Sequence, residues 1–239
     1  MQKKFVYKKA IILGGSKGIG KSIAQELKKT CKKVYGLSRK DVDTSNLSSV
    51  KLFIKKFRET DVLVLNTGGP ENIPFDKIGE EIWYKYFNQL FLGFCIILKK
   101  FLINKNGYIF YISSSIIKEP SESLIISSAL RTGFSSLLKS LSHTYSKKGI
   151  SVINIAPGPF KTDRVKQLVK NLKLFEKSLP TKKIGNPREI GIIVNSIVKN
   201  KIKYLSGSTI YLEGNILDGF ELYNGLDGLY SMLPMKLYC

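Results

Sequence analysis

Short apolar runs alternate with longer stretches of mixed polarity along this chain. Lys9–Leu13 (KAIIL), Lys33–Ser38 (KVYGLS), Asp61–Asn66 (DVLVLN), Tyr108–Ser113 (YIFYIS), Ser151–Ala156 (SVINIA) and Ser208–Glu213 (STIYLE) read as strands. Between them, helical spacing recurs over Lys21–Lys29, Leu47–Arg58, Glu80–Ile103, Ser127–Ser146 and Pro187–Lys199. In the fourth of these, Leu130, Phe134, Leu137, Leu138 and Leu141 repeat at three- and four-residue steps. Continuous apolar strands separated by helices predict an α/β fold, a doubly wound parallel sheet with helices on both faces, three layers in all. No linker, repeat or low-complexity segment divides residues 1–239, so one domain is expected. One connection is unusually short: only KDVDTSN lies between Arg39 and Leu47, which leaves no room for a further full helix.

Composition narrows the picture less than it first promises. A chain of 239 residues, 43% hydrophobic, can bury a substantial core. The most apolar stretch, Leu90–Leu98, is stopped by Lys99 and Lys100 at about half the length a membrane span requires. Cys31, Cys95 and Cys239 show no metal-ligand spacing and no even disulfide set, and no charged-start, apolar-core leader opens the chain. A cytoplasmic protein without metal is the expectation. The net charge is +21, but only five of the 39 basic residues are Arg, and the lysines are scattered in pairs with no basic arm and no zinc-finger or RNA-binding signature. The charge suits an acidic ligand such as a phosphorylated cofactor or an acidic carrier. A nucleic-acid partner would rest on charge alone and is not expected.

The run GGSKGIG, Gly14–Gly20, follows the first strand and opens a helix. Glycines there let the backbone turn tightly and approach a pyrophosphate, which the helix N-terminus favours electrostatically. With DVLVLNTGG (Asp61–Gly69), GYIFYISS (Gly107–Ser114), IAPGPFKTD (Ile155–Asp163), LPTKKIGNPREIG and LSGSTIYLEGN, the chain resembles the short-chain dehydrogenase/reductase family over about residues 8–215, and is similar within it to 3-oxoacyl-acyl-carrier-protein reductase-like proteins. The resemblance implies a Rossmann-type fold and a cofactor site on Gly14, Ser16, Lys17, Gly18, Ile19 and Gly20. It also implies that Asp43 and Thr44 flank the adenine, Asn66, Thr67 and Gly68 the ribose side, and Pro157, Gly158, Phe160 and Thr162 the carboxamide side. The second strand ends in Ser38-Arg39-Lys40 with no acidic residue to hold a ribose diol, and Lys17 sits in the glycine turn. Three cations and a hydroxyl suit a 2′-phosphate, so NADP(H) is the expected cofactor.

The same resemblance exposes departures. The family's catalytic Ser corresponds to Ser114. Its Tyr-x-x-x-Lys pair begins thirteen residues later, where this chain has Ser127 and Arg131, and its active-site Asn falls at Leu90, seven residues after Trp83. A Tyr phenol titrates near pH 10 and a neighbouring cation brings it within reach of neutral pH; a Ser hydroxyl is a far weaker acid, and Arg cannot shuttle protons. Two readings stay open. In one, Ser114, Ser127 and Arg131 stabilise a developing alkoxide while Arg131 also clamps the cofactor ribose, water supplies the proton, and a carbonyl or acyl thioester is reduced. In the other, the protein binds NADP(H) without turnover, as a sensor or partner subunit. His143, Lys118 and Glu119 read as surface groups. The segment of about residues 160–185 resembles the family's substrate-covering helix. The helices from Glu80 and Ser127 imply a homodimer or homotetramer, and the extension 216–239 is expected to pack on another subunit.

Overall fold

The computed structural model describes residues 5–215. Its centre is a six-stranded, wholly parallel sheet in the order β2-β1-β3-β4-β5-β6: β1 Tyr7–Ile12, β2 Cys31–Gly36, β3 Glu59–Leu65, β4 Leu102–Ile112, β5 Ser151–Pro157 and β6 Thr209–Leu212. Helices α1 (Gly18–Leu27) and α8 (Pro187–Lys199) cover one face. On the other lie α2 (Leu47–Phe57), the α3 and α4 pair (Glu80–Phe87, Gly93–Lys100) and α5 (Ile125–Ser146). Strand alternation divides the core accordingly. In β4, Ile109 and Tyr111 join Phe53, Phe94 and Phe134 on the second face, while Tyr108, Phe110 and Ile112 join Ile23, Leu27 and Val194 on the first. The sheet is thus buried on both sides, which the unbroken apolar strands require.

Local sequence explains where the helices begin. Asn46 caps α2, its side-chain oxygen accepting from the Ser48 and Ser49 amides at 3.0 and 3.2 Å. Asn186, Pro187 and Glu189 form a capping box with Pro in the first turn of α8. The short stretch after Arg39 is a closed turn, with the Asp41 and Val42 amides both donating to the Ser38 carbonyl at 3.1 Å. Among the described residues no strand lies outside β2, so the first half of the sheet has two strands there where the usual doubly wound order has three.

The segment expected as one helix over Glu80–Ile103 is three pieces. After α3 the chain makes a π-turn over Asn88–Leu92, closed by the Gly93 amide on the Asn88 carbonyl, and α4 ends at Lys100. Leu102 and Ile103 belong to β4, which starts six residues before the expected Tyr108 and shifts register against β3 between Thr60 and Val62. Helix α1 begins at Gly18, three residues before the expected start, and α5 at Ile125. The segment of about residues 160–185, expected from the resemblance as one helix, is two short helices, α6 (Asp163–Leu168) and α7 (Leu172–Ser178). Its ends are tied where Phe160 bridges Gly185, the Lys161 amide donating to the Gly185 carbonyl at 2.8 Å. The extension 216–239 lies outside the described residues.

Candidate active site

Beyond the carboxyl ends of the strands opens a cavity of about 540 Å³, the place where parallel α/β sheets bind ligands. Its floor is the glycine turn. Gly14 and Gly18 have φ of 59° and 55°, the left-handed region in which glycine is at home. A Cβ on Gly20 would stand 2.2 Å from the Gly14 carbonyl, so Gly20 allows α1 to pack against the turn. Asn66 fastens the end of β3 to the same turn, its Nδ2 donating to the Leu13 and Gly14 carbonyls at 3.1 and 3.2 Å. Lys17 at the head of α1 offers no side-chain cap and the first turn holds no acid, so the helix N-terminal amides are left for a ligand. Gly14, Ser16, Lys17, Gly18 and Ile19 line the cavity, as do Asn66, Thr67, Gly68, Pro157, Gly158, Phe160 and Thr162. These residues suit a dinucleotide pyrophosphate: a glycine-rich backbone turn at the head of a helix, lined with Lys17.

At one end stand Arg39, Asp43 and Thr44. Arg39 Nε donates to Asp43 Oδ2 at 2.9 Å, and Asp43 Oδ1 accepts from the Ser45 amide and hydroxyl at 3.0 and 2.7 Å. Partial burial pushes the Asp43 carboxyl up, but the Ser45 and Arg39 hydrogen bonds outweigh it and the group ends below the usual carboxylate range. Ser38, like Gly20, is not on the cavity wall. Its amide and hydroxyl both point at Asp41 Oδ2, at 2.8 and 2.7 Å, and hold that carboxyl below its ordinary range as well.

The other end gathers Ser114, Ser127 and Arg131. Ser114 heads a 3-10 turn at the end of β4, its Oγ accepting weakly from the Ile116 amide at 3.5 Å. Ser127 and Arg131 are one turn apart on α5 and each only 5% exposed. Arg131 Nε donates to Ser127 Oγ at 3.1 Å, and Nη1 donates to the Ile112 carbonyl at 3.0 Å and to that of Ser113 at 3.4 Å. Arg131 has no ion-pair partner among the described residues, and it lines the cavity. Nearby, the Tyr111 hydroxyl is buried with no partner at hydrogen-bond geometry among the described residues; burial pushes that phenol up, against the pull of the Arg131 guanidinium.

By the resemblance Leu90 stands where the family has its active-site Asn, but in the structure its neighbour Gln89 is the one that reaches the cavity. Leu90 is fully buried, whereas Gln89, in the π-turn, lines the cavity and donates from Nε2 to the Gly68 carbonyl at 2.8 Å and to Thr67 Oγ1 at 3.4 Å. Tyr86, Lys85 and Arg164 also reach the wall, Arg164 donating to the Pro70 carbonyl and so tying α6 to the loop after β3. No motif marks these residues; they come to the cavity through helix phase and loop closure. Lys118 faces Glu213 at 3.8 Å, and His143 is exposed on α5 away from the cavity.

A family model described as short chain dehydrogenase matches residues 41–173. The 3-oxoacyl-[acyl-carrier-protein] reductases FabG of Buchnera aphidicola (subsp. Baizongia pistaciae) and Chlamydia muridarum are each 27% identical to this chain, over 87% and 90% of it and 96% and 100% of themselves. Among solved structures, L-sorbose reductase from Gluconobacter frateurii, complexed with NADPH and L-sorbose, superposes with a TM-score of 0.77 at 20% identity, covering 91% of this chain and 100% of that one. A short chain dehydrogenase from Burkholderia cenocepacia in complex with NADP superposes at 0.75 and 15% identity, over 88% and 98%. Among the described residues, no helix is long and apolar enough to cross a membrane.

Proposed function

Starting from the fact that this chain belongs to the short chain dehydrogenase family, we propose that it is an NADP(H)-dependent oxidoreductase acting between a carbonyl and a hydroxyl carbon. The bound nicotinamide would supply or accept the hydride; what the chain itself supplies is a place for the substrate oxygen. The observation that carries this reading is the Arg131–Ser127 hydrogen bond. Because Ser127 Oγ accepts from Arg131 Nε, its own proton is directed elsewhere, and the cavity is the open side. Ser114 is in the same position, since its Oγ accepts from a backbone amide. Two hydroxyl donors beside a permanent cation suit an oxygen that gains negative charge as its carbon is reduced. One such preorganised donor is worth about 3 kcal/mol of barrier. No group of the triad is a practical proton source near neutrality, so the alkoxide takes its proton from water.

The substrate is a small carbonyl compound or an acyl thioester. The FabG relatives support the second, as do Lys85 and Arg164 at the rim, which suit an acidic or phosphorylated carrier group. The active form is a homodimer or homotetramer. Tyr84 and Phe87 are exposed on α3, and Phe87 stacks on Phe91 at 5.4 Å, leaving an aromatic face beside α5.

Calorimetric titration with NADPH and NADH, followed by nicotinamide absorbance with ketones and 3-oxoacyl thioesters, tests the proposal. NADPH binding and turnover of at least one carbonyl class are expected. NADPH binding with no turnover would leave the binding-only reading; no binding of either cofactor would overturn both.

A further inference from the structure

At the adenosine end, groups that suit a cofactor phosphate are already bonded to carboxylates of the chain itself. The Ser38 amide and hydroxyl both donate to Asp41 Oδ2, and Arg39 Nε donates to Asp43 Oδ2. Of the donors Ser38-Arg39-Lys40 offers at the end of β2, Lys40 alone is not bonded through its side chain to one of these acids. The cause is the length of the connection. Asp41 follows Ser38 by three residues in a closed turn, and with no helix between β2 and α2 its carboxylate folds back onto the strand end.

We propose that Asp41 is a specificity-determining residue, an internal carboxylate standing in for the cofactor's 2′-phosphate and competing with it for Ser38. The proposal rests on the reading that the cavity takes a nicotinamide dinucleotide. A ligand with a free 2′-hydroxyl leaves the Asp41–Ser38 bonds intact. A 2′-phosphate brings close to two negative charges and three acceptor oxygens. It must displace Asp41 from two donors, share Arg39 with Asp43, and then lie beside both carboxylates. The preference for NADP(H) is therefore held well below what Ser38, Arg39, Lys40 and Lys17 would give alone. The carboxyl of Asp41 is held below its ordinary range by the Ser38 bonds, so it is an anion at neutral pH and competes as one.

The test titrates NADPH, NADH, 2′,5′-ADP and 5′-AMP onto wild type and Asp41→Asn. The amide keeps the size of the carboxylate and one acceptor oxygen but removes the charge. The ratio of NADPH to NADH affinity should rise about tenfold, equivalent to about 1.4 kcal/mol. The 2′,5′-ADP to 5′-AMP ratio should rise with it, and NADH binding should not change. Asp41→Ala, checked for an unchanged melting temperature, should move both ratios the same way. Ratios that stay put overturn the proposal, and ratios that fall show instead that Asp41 organises Ser38 to receive the phosphate. In both cases the cofactor reading survives. If no nucleotide binds either protein, the cofactor reading fails and this proposal with it.

Discussion

Truncating Arg131 separates a working guanidinium from a surface charge. In Arg131→Ala the bonds to Ser127 Oγ and to the Ile112 and Ser113 carbonyls vanish, and so does the charged group that lines the cavity. Only that last loss bears directly on ligand affinity, because the other bonds are internal and exist before any ligand binds. A hydrogen bond to a charged group is worth about 1.5–3 kcal/mol. NADPH affinity should therefore fall roughly ten- to 150-fold. The internal bonds appear in a different measurement: the buried Ile112 carbonyl loses its guanidinium partner, and the melting temperature should drop. Arg131→Lys should recover part of the affinity, since the charge stays and the planar fork goes. Calorimetry with NADPH reads the affinity, with Trp83 fluorescence as a second signal. If Arg131→Ala binds NADPH as tightly as wild type, the guanidinium serves only the fold, and its proposed contact with the cofactor is refuted.

Three further outcomes follow from the same geometry. Ser127→Tyr combined with Arg131→Lys rebuilds the proton-donating pair and should reduce model ketones faster than wild type; no gain with NADPH binding intact would show that a missing phenol is not what limits turnover. Gln89→Leu removes the donor to Gly68 and Thr67, bonds internal to the protein, and should lower stability by about 1 kcal/mol, the worth of a net hydrogen bond, read as a lower melting temperature; an unchanged melting temperature would mean the loop is held by other contacts. Burial pushes the Cys31 thiol up to about 12, so almost no thiolate exists at mildly alkaline pH and Cys31 should resist alkylation until the protein is unfolded. Labelling of Cys31 in the folded protein would contradict its burial.

The sheet was legible because its strands are short apolar runs stopped by glycine, asparagine or charge, as in KAIILGG and DVLVLN. The stretch from Glu80 was not. Phe101, Leu102 and Ile103 continue the apolar spacing of a helix, and no glycine or proline lies between Lys100 and Asn104 to mark the passage from α4 into β4. Tertiary pairing with Glu59 and Thr60 decides it. The glycine turn, Ser114, Ser127 and Arg131 were expected together because the resemblance fixes their positions by spacing, and the structure brings them to one cavity. Gln89, Tyr86 and Arg164 were not, since each reaches the cavity through a three-dimensional accident of helix phase or loop path. Ser38 was expected at the cofactor as a free hydroxyl, but it is off the cavity wall and only coordinates reveal that Asp41, three residues on, already holds it.

The π-turn over Asn88–Leu92 also acts as a phase shifter in an otherwise helical rod. Each residue of an α-helix advances about 100° around the axis, and a wide turn absorbs one extra residue without displacing the helices on either side. Upstream, α3 keeps Tyr86 inward; downstream, α4 keeps Phe94, Ile97 and Leu98 in the core. Deleting one residue between them would let the backbone close into a continuous helix, but the rod could then satisfy only one of its two ends. Either the core face of α4 rotates out of register with Tyr111 and Phe134, or Gln89 swings off the loop that carries Thr67 and Gly68. This wall of the cavity is therefore specified by residue count as much as by residue identity, and a change of length here is less forgiving than a change of side chain.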